Sequence, residues 1–141
     1  MLHSLLLQDS VALRLLLAPR AVAGEPVLIV LRLTNTTAQP LTLALQGRPI
    51  AFDITIARED GTVVWRRLEG EVVAAILAVR ELGPAESLEF QATWNGRNRS
   101  GEPAAPGRYL VTGVVPTDQP EGLRTQPASL TVVPPTDGPS R

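Results

Sequence analysis

Residues with catalytic or metal-binding chemistry are scarce in this sequence. Its 141 residues include a single histidine, His3, and no cysteine. A hydrolytic triad needs an imidazole held beside its nucleophile, and zinc sites are built mainly from Cys and His ligands. We expect His3 to lie in a frayed terminal segment, so neither kind of site can be assembled. The sequence therefore predicts no catalytic residue of these types, no metal and no cofactor.

Carboxylates do occur in neighbouring pairs, namely Glu59 with Asp60 and Glu69 near Glu71. Paired carboxylates can act as general acid and base when they face each other across a cleft. Both pairs lie beside predicted turns, however, where charged side chains are normally solvated. No glycine-rich loop precedes a helical pattern, so a phosphate-binding site is not indicated either. These observations favour a binding or structural module over an enzyme.

The charge balance argues against a polyanionic partner. Thirteen basic residues oppose fourteen acidic ones, which leaves a formal net charge of −1. No long-range field therefore favours nucleic acid or an anionic membrane. The leucine-rich stretch at residues 1–17 lacks the basic leader and the clean cleavage site of an export signal, and no apolar run is long enough to span a bilayer. We expect a cytoplasmic protein whose partner is another protein.

Apolar and polar residues alternate along most of the chain, which is the signature of strands with one face on a core. The clearest case is residues 87–94, where Leu88, Phe90, Ala92 and Trp94 alternate with polar residues. Turn residues separate such stretches at intervals of about ten residues. The predicted strands cover residues 11–18, 27–34, 41–46, 50–57, 62–66, 71–80, 87–94, 108–115 and 128–133.

One of these stretches is ambiguous in its secondary structure. Residues 71–80 fit either a helical or an extended apolar face, and their Val and Ile content favours the extended one. The dipeptide Asp60-Gly61 between two predicted strands is a strong hairpin signal. We interpret it as a two-residue type I′ turn, in which both residues need positive φ.

Eight or nine short strands, frequent turns and no long helical pattern are typical of an all-β, immunoglobulin-like antiparallel β-sandwich. We expect residues 1–133 to form a single domain, followed by a flexible Pro-rich tail at residues 134–141. The chain lacks the cysteine pair that braces antibody domains. We therefore expect Trp65, Trp94 and Tyr109 to serve as structural anchors.

Six short motifs between Val11 and Val115 occur in an order and spacing known from one bacterial protein family. They are Thr34-Asn35-Thr36, Phe52-Asp53-Ile54, Asp60-Gly61 through Trp65-Arg66, Leu82-Gly83-Pro84-Ala85-Glu86, Trp94-Asn95-Gly96, and Gly101 followed by Pro106-Gly107-Arg108-Tyr109. Through them the chain resembles the BsuPI-type intracellular proteinase inhibitors. The resemblance implies an immunoglobulin-like fold and, as for the family's namesake, inhibition of a cytoplasmic serine protease of subtilisin type.

An inhibitor of this kind would act by steric occupation of the protease cleft with an exposed, stiff and strand-like loop. The loop at residues 116–127 fits best, since three prolines restrict it. We predict that Leu123 or Arg124 enters the specificity pocket: an apolar, subtilisin-type pocket favours Leu123, and a trypsin-type pocket favours Arg124. The alternative is an interaction or assembly module that docks through an exposed edge strand or a sandwich face.

Overall fold

The computed structural model describes residues 10–47, 50–73 and 75–135. His3 and most of the predicted tail at residues 134–141 lie outside them, so the division of the chain at residue 133 stays a prediction. The described residues form eleven β-strands, and no helix lies wholly within them. The strands are β1 (Val11–Leu16), β2 (Arg20–Val22), β3 (Val27–Asn35), β4 (Leu41–Gln46), β5 (Asp53–Arg58), β6 (Val63–Arg66), β7 (Leu77–Leu82), β8 (Ser87–Trp94), β9 (Gly107–Val115), β10 (Leu123–Arg124) and β11 (Ala128–Val133).

The strands assemble into two main sheets that pack face to face around one core. One sheet has the order β1-β3-β8, and the other has the order β2-β11-β9-β5-β6, with β10 added to β9. Strands β4 and β7 form a separate two-stranded sheet. All pairings are antiparallel except that of β2 with β11. This arrangement confirms the predicted immunoglobulin-like, antiparallel β-sandwich.

Each of the nine predicted stretches contains a strand, and the structure adds two that the sequence analysis does not predict. The added strands, β2 and β10, have three and two residues, which is too few for a period of two to be recognised. Within the ambiguous stretch 71–80, residues 77–80 are extended rather than helical and belong to a strand that begins at Leu77. Residues 71–73 have no regular secondary structure.

The core lies between the facing sheets and follows the alternation of the sequence. Along β3 the side chains of Val27, Ile29, Leu31 and Leu33 are buried. Burial of each such aliphatic side chain stabilises the fold by about 1.5–3 kcal/mol. The sheets approach closely at Gly113 of β9, where an added Cβ atom would lie 2.7 Å from Cδ1 of Leu31 and the Leu31 side chain would have to shift.

Trp94 and Tyr109 join the two sheets. They lie on consecutive strands, β8 and β9, but these strands belong to opposite sheets, and the two ring centroids are 6.1 Å apart in the core. The indole N–H of Trp94 donates to the carbonyl of Arg97 at 3.0 Å. The hydroxyl of Tyr109 donates to the carbonyl of Ala105 at 2.6 Å, as in the tyrosine corner of immunoglobulin-like domains. Trp65 is only partly buried and packs against the margin of the core.

The hairpin between β5 and β6 is present, but its turn differs from the predicted one. The amide of Arg58 donates to the carbonyl of Thr62, and the amide of Gly61 donates to the carbonyl of Arg58. Gly61 has φ +94°, whereas Asp60 is not among the residues with positive φ. The loop therefore has three residues, a type I turn followed by a left-handed glycine. The carboxylate of Asp60 favours this form, because its Oδ1 accepts the amide N–H of Thr62 at 2.8 Å.

Candidate functional site

The predicted contact loop, residues 116–127, is fastened along the sandwich. Its first residues run beside β4: the amide of Gln46 donates to the carbonyl of Pro116 at 3.1 Å, and the amide of Asp118 donates to the carbonyl of Ala44 at 3.2 Å. Backbone pairing of this kind fixes both the path of a chain and the sides to which its residues point. This half of the loop therefore has little freedom to enter a cleft.

The second half of the loop contains the two predicted contact residues. Leu123 and Arg124 form β10, which pairs with Val115 and Val114 of β9. Successive side chains of a strand point to opposite sides, so Leu123 lies in the core, with 4% of its surface exposed, while Arg124 is exposed. In this structure the side chain of Leu123 is not accessible to a partner, and its contact role is untested. Arg124 is accessible, and its contact role stays a prediction.

A different part of the chain contains most of the exposed large apolar side chains. Six large apolar side chains are exposed in the described residues, and four of them fall between residues 72 and 79. Single exposed apolar residues are common in proteins, but a cluster of them indicates an interaction site. We call the four residues of this cluster the exposed apolar stretch: Val72, Ile76, Leu77 and Val79.

A buried carboxylate fixes the chain shortly before this stretch. Asp53 is mostly buried at the start of β5, and its Oδ2 accepts hydrogen bonds from Nη2 of Arg66 at 2.6 Å and from Nε at 3.2 Å. Its Oδ1 accepts the amide N–H of Leu68 at 3.0 Å. The hydrogen bond from Arg66 and the negative charge of Asp53 raise the pKa of Arg66. Charge-assisted hydrogen bonds are stronger than neutral ones, and together with the bond from Leu68 they hold the exit from β6 in one orientation.

Arg67 forms a second clamp beside the first. Its guanidinium carbon lies 3.7 Å from the centroid of the Phe52 ring, within the range of a cation–π interaction. Its Nη1 donates to the carbonyl of Phe52 at 2.7 Å, and its amide donates to the carbonyl of Ile54 at 2.9 Å. The Phe52 ring in turn packs on Phe90 of the opposite sheet, with the centroids 5.1 Å apart. The start of the β6–β7 connection is therefore tied to both sheets.

Beyond these clamps the connection turns and projects into solvent. A turn hydrogen bond joins the amide of Glu71 to the carbonyl of Leu68 at 2.9 Å. The next residue, Val72, has 95% of its surface exposed. Among the described residues, no backbone hydrogen bond holds Val72 or the residue after it. The far end is tied again, because the amide of Gly47 donates to the carbonyl of Ile76 at 2.8 Å.

Strand β7 continues the exposed apolar stretch along an edge of the sandwich. Within the described parts of the chain, β7 pairs only with β4. Leu77 and Val79 are exposed on it, opposite Gln46 and Ala44 of β4. An apolar strand with an open edge is suited to pairing with another extended chain.

The sequence analysis does not single out the exposed apolar stretch as a contact site. The ambiguous apolar pattern of residues 71–80 nevertheless indicated that some of their side chains are exposed. Val72 and Ile76 have even numbers, while Leu77 and Val79 have odd ones, so the four cannot share one face of a continuous strand. Unless both faces were covered, some of these side chains had to be exposed.

Metal-binding clusters and membrane-spanning helices are absent from residues 10–47, 50–73 and 75–135. This part of the chain contains no group of three or more His, Asp or Glu side chains that could hold a metal ion. It also contains no helix long and apolar enough to cross a membrane.

Several solved structures are similar to this chain in fold at low sequence identity. The alkylpurine DNA glycosylase AlkC of Pseudomonas fluorescens, bound to DNA with an abasic site analogue, matches 88% of this chain and 30% of its own, with 20% identity and a TM-score of 0.49. A CARDB domain from Pyrococcus furiosus, in complex with di-metal ions, matches 87% of each chain, with 11% identity and a TM-score of 0.46. A β-glucosidase from Listeria innocua, in complex with glucose, matches 86% of this chain and 16% of its own, with 12% identity and a TM-score of 0.46. The chain thus spans less than a third of the glycosylase and of the glucosidase, and these similarities concern the fold alone.

The sequence matches a protein family over most of the sandwich. No curated protein sequence matches the chain. Residues 18–120, however, match the family described as BsuPI, intracellular proteinase inhibitor. The matched region contains β2 to β9 and the exposed apolar stretch, whereas Leu123 and Arg124 lie beyond its end. Because this region exceeds half of the sequence, the chain belongs to the BsuPI intracellular proteinase inhibitor family.

Proposed function

We propose that this chain inhibits a cytoplasmic serine protease of subtilisin type by occupying its cleft, as a binding protein rather than an enzyme. The observation that carries this proposal is the match of residues 18–120 to a family of intracellular proteinase inhibitors. The family description supports a protease as the partner and a location inside the cell. The subtilisin type and the steric mechanism are the further steps that the proposal takes.

The mechanism follows from what a protease cleft recognises. The cleft pairs with the backbone of an extended peptide and accepts a few of its side chains in pockets. An inhibitor binds better when its contact segment is already ordered, because less conformational entropy is lost on binding. A surface segment that is exposed and held at both ends by a rigid sandwich meets this requirement. The connection between β6 and β7 has these properties.

The test is a titration of protease activity with the purified chain. Residual activity of a subtilisin-type and of a trypsin-type protease is measured on small chromogenic substrates. We expect dose-dependent inhibition of the subtilisin-type enzyme in which KM rises and kcat is unchanged, because a blocked cleft excludes substrate without altering catalysis. Stronger inhibition of the trypsin-type enzyme would instead favour Arg124 as the contact. Failure to inhibit any member of a panel of serine proteases would contradict the proposal.

The open apolar edge of β7 also favours a second candidate, an interaction or assembly module without inhibitory activity. Affinity capture from a native lysate separates the two functions. A retained serine protease supports inhibition. A stable complex with a partner that is not a protease supports the assembly module.

A further inference from the structure

We infer that Val72 is the side chain that enters the specificity pocket of the protease, and that residues 71–73 form the inhibitory segment. This inference rests on the proposed function and adds to it the contact residues and the chemistry of the pocket. The partner of the segment is a protease whose active-site cleft contains an apolar specificity pocket. Four properties of the segment support this assignment.

The first property is protrusion. A cleft can surround a side chain only if that side chain projects from a convex part of the surface. Val72 is 95% exposed in an irregular connection, so its side chain can be surrounded. Leu28, the most exposed large apolar residue outside the stretch, lies on β3 directly beside Thr93 of β8. A cleft cannot close around a side chain that stands on the face of a paired strand.

The second property is the state of the backbone. Binding in a protease cleft needs amide and carbonyl groups that can pair with the enzyme. Among the described residues, the backbone groups of Val72 and Val73 have no partner within the chain. Pairing with the protease therefore breaks no hydrogen bond between these groups and another described residue. The backbone of Leu123 and Arg124, in contrast, is already paired with β9.

The third property is the support on both sides of the segment. Asp53 binds the side chain of Arg66 and the amide of Leu68 on one side. The carbonyl of Ile76 accepts the amide of Gly47 on the other side. With both ends tied, residues 71–73 lose less conformational freedom on binding than a loosely attached loop would. If the protease cleaves a segment that is tied at both ends, the two new chain ends stay close together, which slows the release of the product.

The fourth property is chemical and topological. Val72 has a branched aliphatic side chain, which suits an apolar pocket. It cannot form an ion pair with the carboxylate of a trypsin-type pocket. The segment also lies inside the region that matches the inhibitor family, residues 18–120, and the originally predicted contact residues do not. Leu77 and Val79 on the edge of β7 extend the apolar surface beyond the segment.

The experiment compares two variants that place the same acid at different exposed positions. Val72→Asp should weaken inhibition of the subtilisin-type protease by about thirtyfold or more, the usual loss for a buried anchor residue. Leu28→Asp is the matched control and should inhibit like the wild type. Both variants should be folded. Val72→Asp should unfold at the wild-type denaturant midpoint, because its side chain is 95% exposed, and Leu28→Asp should unfold slightly below it, because Asp is disfavoured in a strand. A third variant, Val72→Arg, should lose inhibition of the subtilisin-type enzyme and gain inhibition of a trypsin-type enzyme.

The outcomes separate this inference from the proposed function. If the wild type inhibits no serine protease, both are overturned. If the wild type inhibits and Val72→Asp inhibits equally well, the inference alone is overturned, and the contact lies elsewhere. An equal loss in Leu28→Asp would overturn it too, because the outer face of β3 would then be the contact. Loss confined to Val72→Asp, with a gain on trypsin in Val72→Arg, supports it.

Discussion

The connection between β9 and β11 and the connection between β6 and β7 are similar in length and both contain exposed polar turns. Their apolar side chains nevertheless end in opposite environments. Leu123 in the first connection is 4% exposed, and Val72 in the second is 95% exposed. The proline content of the first connection led to its prediction as the contact loop. In the structure, however, a large apolar side chain is exposed only in the second connection.

The difference lies in whether a strand is available beside each connection. Residues 116–127 pass along β4 and β9, and their amides and carbonyls find partners there. Once β10 is paired, strand alternation places Leu123 in the core. The β6–β7 connection begins at the edge of its sheet, because β6 pairs only with β5 among the described strands. Val72 therefore meets no neighbouring strand and no core.

The largest expected effect separates the two connections by stability. Leu123→Ala should destabilise the protein by about 2–5 kcal/mol, because it leaves a cavity in the core. Val72→Ala, its matched control, should change the free energy of unfolding by less than about 0.5 kcal/mol, because the side chain is exposed. Urea unfolding followed by tryptophan fluorescence measures both. Equal effects would remove the distinction between the two connections.

A glycine in each connection sharpens the comparison of their backbones. Gly122 and Gly70 both have positive φ, +64° and +79°. A Cβ atom at Gly122 would lie 2.8 Å from the carbonyl oxygen of Val115, whereas a Cβ at Gly70 would meet nothing within 4 Å. We expect Gly122→Ala to cost about 2–4 kcal/mol, from left-handed strain plus the clash, and Gly70→Ala about 1–2 kcal/mol, from strain alone. Thermal or urea unfolding of the pair checks the order; equal costs would show that the loop after β9 is not packed against that strand.

A smaller effect tests the clamp at the base of the β6–β7 connection. Asp53→Ala removes the acceptor of Arg66 and of the Leu68 amide, which should destabilise the protein by about 1–3 kcal/mol. Hydrogen exchange should become faster at the amide of Leu68 and remain slow in β3. Glu59→Ala is the control, since its ion pair with Arg108 is exposed on both sides and contributes about 0–1 kcal/mol. Unchanged exchange at Leu68 in Asp53→Ala would show that the carboxylate does not hold the connection.

The positions of most strands followed from the sequence alone. The alternation at residues 27–34 and 87–94 identifies β3 and β8 almost to the residue, because one side of each strand faces a single apolar core. The family could also be recognised from short motifs, since their turn residues and aromatic residues are local features of the chain. The turn at Asp60-Gly61 was located correctly, but its type was not, because a loop that is one residue longer contains the same dipeptide.

The accessibility of the candidate contact residues was decided by tertiary structure. A two-residue strand such as β10 has no periodicity of its own, and only the presence of β9 beside it turns Leu123 inward and Arg124 outward. Val72 is exposed for the converse reason, since the chain passes the end of a sheet where no strand accompanies it. Whether an apolar side chain in a loop belongs to the core or to a binding surface depends on neighbours that are distant in sequence. Local pattern cannot contain that information.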